Sequence, residues 1–309
     1  MRWALRLLAS LAGLGVVVWL VDPASLGPHL RAVDMRWMAL AVAALAGQIV
    51  VSALRWQLTA QALGVRLPTL WAICEYSLSV LGNTLLPGGV LGDVGRVARM
   101  RAHGGWRLAV GSVVIERLAG QVALALAAGI GVGWWAVVYH GAGALVIAPL
   151  VALLVALVWG GGRWLGARWL PCAVRDAVRA AWCAPAVLPR QLAYTGVILC
   201  CNLGGVWAAA QAVGVGLGLG AALFVIPLTL LAMLVPVSVN GWGLREGAAL
   251  MLWPLVGVAG SQAVAASISF GLAALGAALL AVIPWALQLG MARRQQPAMA
   301  RSSVEGDRQ

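Results

Sequence analysis

Apolar runs of about 18 residues or more recur along nearly the whole chain, and a run of that length, as helix, crosses the ~30 Å hydrocarbon core of a bilayer. They cover residues 3–21, 37–54, 108–138, 142–159, 192–213, 217–235 and 262–289. A shorter stretch, 69–86, carries Glu75 and ends in Pro87-Gly88-Gly89. In lipid every backbone N–H and C=O must be bonded within the segment, so these runs have to be helices. Composition agrees: 62% of the 309 residues are hydrophobic and 10% are charged, far below the charged share of a soluble domain. The chain is read as an all-α polytopic membrane protein, with one membrane domain over 1–292 and a short, disordered cytoplasmic tail at 293–309.

The formal charge of +12 comes from 21 basic residues, all Arg, against nine acidic ones. They lie between the apolar runs and form no single block or aromatic-interleaved patch, which points to membrane orientation and lipid head groups and excludes nucleic acid. The five cysteines show no CxxC or Cys/His spacing, so no metal site or disulfide framework is expected. Arg2 and Arg6 flank the first run without a convincing cleavage motif behind it, so it is read as an uncleaved span rather than a signal peptide.

The arginines also set the orientation. Apart from Arg31 and Arg36, the loop and tail arginines, Arg55 and the 163–190 group among them, fall on one side if the region 69–106 enters the membrane and leaves by the same face. Both termini are then cytoplasmic. The last run must end inside at Arg293 and Arg294, so the segment 217–254 starts and finishes outside and is a second re-entrant element. The expected architecture is about six full spans plus these two broken elements.

The two breaks resemble each other. Pro87, Gly92 and Arg96 recur as Pro236, Gly241 and Arg245, each pair 149 residues apart. Interrupted helices at matching positions of two oppositely oriented halves are the mark of an inverted-repeat transporter with a central site. The prolines remove a backbone donor and the glycines permit chain reversal. Such backbone survives in a membrane only inside protein or beside a wet cavity. A helix restarting there aims its N-terminal N–H groups inward, and Arg96 and Arg245 add full charge, so an anion is expected. Gly88, Gly89, Gly92, Asn240 and Gly241 supply the turns, and Asp93 and Glu246 tune the arginines or meet a cationic part of the ligand.

Three further charges sit within apolar runs, where ionisable groups are costly and usually functional. Glu116 and Arg117 lie about half a helix deep; Glu116 shares a face with the small residues Ser112, Ala119, Gly120 and Ala123, which suits either transport or a helix-packing pair with a motif arginine. Glu75 suits proton coupling or an interfacial position equally. Helical spacing over 94–103 puts Arg96, Arg99 and His103 on one face and Val94 and Ala98 on the other, as in a helix lying at the interface. Arg99 and Arg101 are read there as solvated, orienting charges. His29, His103 and His140 are read as loop residues.

The segments "LLPGGVLGDVGRVARM", "ERLAG" (116–120) and "PVSVNGWGLREGAAL" resemble, in that order, the signatures of the lysylphosphatidylglycerol synthase transmembrane family, flippase-like membrane proteins. The resemblance covers nearly the whole chain and maps the family pattern onto Pro87, Gly88, Gly89, Gly92, Asp93, Arg96, Glu116, Arg117, Pro236, Gly241, Gly243, Arg245 and Glu246. Asn240 stands where another Gly is expected. It implies an inner-membrane protein that moves a phospholipid, hopanoid or polyprenyl-linked lipid between leaflets, with a lipid-biosynthetic enzyme as protein partner. The cytosolic aminoacyl transferase domain of the two-domain synthases is not expected in a chain ending about 20 residues after its last apolar run, so neither enzymatic activity nor a cofactor is predicted. Two rivals differ in class. A membrane transferase for isoprenoid lipids should carry a DDxxD-type cluster, and Asp93 stands alone. A non-transporting scaffold of a biosynthetic complex would use the polar break residues for packing only. "GGVLGDVG" lacks the Gly-Lys-Ser/Thr end of a P-loop, so ATP is not used here.

Overall fold

The computed structural model describes residues 2–21, 23–86, 89–140, 176–234, 241–280, 283 and 285. Among them there is no strand, and the main α-helices are α1 (Arg2–Val21), α2 (Pro23–Arg31), α3 (Met35–Ala62), α4 (Thr69–Leu85), α5 (Leu91–His140), α6 (Leu188–Ala212), α7 (Leu219–Leu231), α8 (Leu244–Leu252) and α9 (Gly260–Leu280). Four of these, α3, α5, α6 and α9, contain stretches long and apolar enough to cross a membrane, and α1 contributes the shorter apolar piece Ala12–Val21. The span expected at 142–159, the tail at 293–309, and Pro87, Gly88, Pro236 and Asn240 lie outside the described residues.

α5 is two helices in one. Gly105 adopts φ 78 and ψ 172, a conformation only glycine takes without strain, and divides α5 into α5a, up to Gly104, and α5b, from Trp106. α4 and α5a form a hairpin closed at very short range. A Cβ on Gly92 would collide with the carbonyl oxygen of Ser79, and Gly82 faces the Gly92 backbone. α7 and α8 form the second hairpin, and Gly257 at φ 81 leads into α9 as Gly105 leads into α5b.

A seam between α3 and α6 holds the halves together. Ala41, Leu45, Ile49, Ala53, Trp56 and Ala60 make one buried stripe on α3, and it meets Gly205, Val206, Ala209 and Ala210 on α6. Association inside lipid rests on close contact, which small residues allow; Leu45 lies 3.0 Å from where a Cβ on Gly205 would be. The helices run antiparallel. Asp34 N donates to Ala212 O at one end (2.8 Å) and Gln191 Nε2 to Thr59 Oγ1 at the other (3.0 Å).

Each seam helix ends in the same turn. Gly64 N donates to Gln61 O and Val65 N to Ala60 O; Gly214 N donates to Gln211 O and Val215 N to Ala210 O. Gln57 Nε2 then donates to Leu67 O (2.7 Å), and Trp207 Nε1, 150 residues later, to Leu217 O (3.0 Å). The sequence behind it, "AQALGVRL" at 60–67 and "AQAVGVGL" at 210–217, is a better preserved repeat than the spacing of the breaks. The path α3–α4–α5a–α5b is thus repeated as α6–α7–α8–α9, and the antiparallel seam makes the second copy run inverted to the first.

Candidate functional site

The tips of both hairpins reach one cavity of about 460 Å³. Gly89 and Val90 line it from the first break, and Met233, Leu234 and Gly241 from the second; α3, α5b and α6 supply the walls. Its charged lining is Arg55, Glu116 and Arg117.

Glu116 is the hub of a buried network. Arg55 Nη2 donates to its Oε1 at 2.7 Å and to its carbonyl oxygen at 3.2 Å, and Tyr76 donates its hydroxyl to the same Oε1 at 3.2 Å. Arg55 Nη1 also donates to Thr195 Oγ1 across the seam (3.1 Å). Arg96 Nη2 lies 3.6 Å from Glu116 Oε2 and 2.9 Å from Asp93 Oδ1. Its guanidinium is sandwiched between Trp56 and Tyr76, 4.6 Å and 4.5 Å from the ring centroids, an arrangement Arg favours through its flat, weakly hydrated cation. Asp93 further accepts from Ser79 (2.8 Å) and Asn83 (3.2 Å) and pairs with Arg117 Nη2 at 2.5 Å. Three guanidinium groups thus face two carboxylates. Arg55 Nε, Arg96 Nε and Nη1, and Glu116 Oε2 are buried without a hydrogen-bond partner.

The second motif arginine is built differently. Arg245 reaches Glu246 Oε1 through Nε (3.0 Å) and Nη2 (2.5 Å), and Ser267 on α9 through Nε (2.9 Å). Glu246 Oε2 accepts from Gly243 N at 2.7 Å, closing the start of α8. Trp242 and Phe270 lie over the guanidinium, 4.9 Å and 5.2 Å away.

Several expectations change here. Arg96 and Arg245, expected as direct anion ligands, are 0% and 1% exposed and do not line the cavity; Glu246 and Asp93 are buried with them and already engaged. The helix N-termini are engaged too. Asn83 Oδ1 accepts from Gly92 N (2.9 Å) and Asp93 N (3.4 Å), and Glu246 serves α8. Of the polar side chains of α5a, Asp93 and Arg96 turn into the protein, while Arg99, Arg101 and His103 are exposed along with Val94 and Ala98, so the expected interfacial face is divided and its motif arginine is withdrawn from water. Glu75 is buried and ion-paired to Arg99 Nε, so Arg99 is not a freely solvated charge. His29 and His103 lie in helices, His103 against Trp71 at 4.7 Å; of the His140 side chain nothing is described. Of the expected site residues, Gly89, Gly241, Glu116 and Arg117 line the cavity, while Gly88 and Asn240 lie outside the described residues.

Arg55 is a site residue that sequence reasoning misses. Its place just beyond an apolar run makes it an orienting charge, yet α3 continues for two more turns and buries it to 3% exposure. The signal was present in Leu58, Thr59, Ala60 and Ala62, which prolong the helix, and in Glu116, a deep carboxylate in need of a cation. Gln48, Gln121, Thr195 and Asn202 also line the cavity; uncharged, they carry no local mark of a site.

Residues 3–284 match the family described as lysylphosphatidylglycerol synthase TM region. The chain belongs to that family. No curated protein matches it. Within the lysylphosphatidylglycerol synthase TM family the chain is a multi-pass membrane protein of lipid modification or translocation, and the match concerns the transmembrane region, which lacks the catalytic domain.

Proposed function

We propose that the protein is a flippase-like lipid translocase that carries an anionic head group between leaflets of the cytoplasmic membrane, with both termini in the cytoplasm and no covalent cycle of its own. The observation that carries this reading is the cavity bordered by both hairpin breaks and lined by Arg55, Glu116 and Arg117. A phosphate there meets the Arg117 guanidinium, whose side chain is 44% exposed, and a planar fork grips it at two oxygens. Arg55 adds positive potential beneath. Arg96 acts one layer behind as a positioning residue, holding Glu116 and Asp93 so that Arg117 faces the opening; Arg245 fixes the second hairpin.

The test is transbilayer movement of a fluorescent phosphatidylglycerol in vesicles of phosphatidylcholine and phosphatidylglycerol containing the purified protein. Arg117→Gln is expected to slow movement at least tenfold, the loss of one charge-assisted contact of about 1.5–3 kcal/mol, while the protein still inserts and purifies as a single species. Unchanged movement in that variant defeats the reading. No movement with the unmodified protein favours instead a non-transporting scaffold. Cysteine labelling tests orientation: an external N-terminus overturns the positive-inside assignment.

A further inference from the structure

Among the described residues the cavity is charged at one end only. Arg55 borders Thr195 at 3.1 Å, and along the antiparallel seam each step forward on α3 is a step back on α6. Gln48 and Ser52 precede Arg55 by seven and three residues, and Asn202 follows Thr195 by seven, so Gln48 and Asn202 sit together about 10 Å from the arginine end at 1.5 Å of rise per residue. On α5b, Gln121 lies one turn beyond Arg117 on the same face. All of these line the cavity. Gln48 donates to Ser52 (3.1 Å) and Asn202 to Ile198 O (3.2 Å). Their side-chain carbonyls, and the whole Gln121 carboxamide, make no hydrogen bond among the described residues. Beyond Glu116 no carboxylate lines the cavity among the described residues.

From this we infer that the site takes a lipid whose head group is one phosphate extended by an uncharged polyhydroxylated unit, a glycerol or a cyclic polyol or sugar, and that it selects against a head group ending in an amine. Each hydroxyl is both donor and acceptor, and a carboxamide offers both in return. A terminal ammonium can donate to the same carbonyls but adds a third cation to a cavity that already holds Arg55 and Arg117, with no carboxylate at the far end among the described residues to offset it, while Glu116 is held by Arg55, Arg96 and Tyr76. The inference rests on the phosphate reading above and adds the far half of the ligand.

Binding to the detergent-solubilised protein, read by tryptophan fluorescence with short-chain lipids, separates the two. Phosphatidylinositol or phosphatidylglycerol is expected to bind about tenfold more tightly than phosphatidic acid, the yield of one or two neutral hydrogen bonds. Whichever is tighter identifies ring or glycerol as the preferred unit. Lysyl-phosphatidylglycerol is expected to bind more weakly than phosphatidylglycerol. Gln121→Met and Asn202→Leu, close in volume, should each remove most of the gain over phosphatidic acid, whereas Arg117→Gln should weaken all four lipids. Equal binding of phosphatidic acid and the polyol lipids, tighter binding of the lysyl lipid, or Met and Leu variants that keep the preference overturn the inference. Those outcomes leave the phosphate reading standing if Arg117→Gln still weakens every lipid; an Arg117→Gln variant that binds all four normally removes both.

Discussion

The two halves trace the same path, α3 to α5b and α6 to α9, with equivalent turns at Gly64 and Gly214 and equivalent breaks at Gly105 and Gly257, but they distribute charge in different ways. In the first half the motif arginine, Arg96, is tied to its own helix through Asp93, to α5b through Glu116, and to α3 and α4 through Trp56 and Tyr76. In the second half Arg245 closes on the neighbouring Glu246 and a serine. At a separation of 150 the counterpart of Arg55 is Gly205, which serves close packing against Leu45. A repeat can thus preserve backbone shape twice while building its polar site once, because shape depends on glycines and turns and the site on a few side chains. One half presents the cavity with charge; the other closes it.

The largest expected effect breaks the comparison at its hub. Glu116→Ala leaves Arg55 and Arg96 buried opposite each other without their shared carboxylate, and a cost of about 3–5 kcal/mol is expected for such an unpaired group, read as lost thermal stability of the purified protein. Next, Gly92→Ala sets a Cβ against backbone at Ser79 and should cost about 1–3 kcal/mol as an overpacked contact. Gly241→Ala, its equivalent, meets only the Met233 side chain but carries φ +80, so about 1–2 kcal/mol is expected from the left-handed backbone. If Gly241→Ala proves the costlier in the same melting experiment, the first hairpin is not the more tightly closed. In lipid movement, Arg96→Gln should lower the rate more than Arg245→Gln, since only Arg96 touches a cavity-lining carboxylate; equal losses would make the halves functionally alike. The smallest effect belongs to Arg99 and Glu75: a double-mutant cycle with Gln at both should give a coupling of about 1 kcal/mol or less, as expected for a pair with a partly exposed partner.

Much of this was legible in the sequence because length and apolarity decide where a chain crosses a bilayer. Residues 188–212 and 260–280 stand close to where apolar runs predicted helices, and the Pro-Gly stretches marked both breaks. Arg55 was not legible as a buried residue, because a charge at the edge of an apolar run looks the same whether the helix stops or continues into protein. The burial of Arg96 followed from the hairpin closing on Gly82 and Gly92, a contact between helices that no local spacing announces. The repeat is visible around Gln61 and Gln211, where six of eight consecutive positions are identical, and this carries more information than the few glycines and prolines of the breaks.

The pairing of Arg55 with Glu116 has a consequence in time. Sixty-one residues separate them, so during synthesis at about 5–20 residues per second the arginine leaves the ribosome roughly 3–12 s before its carboxylate does. α3 therefore enters the bilayer with an unneutralised cation near its end, which reaches for the head groups until α5b brings its carboxylate. The first half is in this sense assembled backwards, with its earliest long helix completed by a later one.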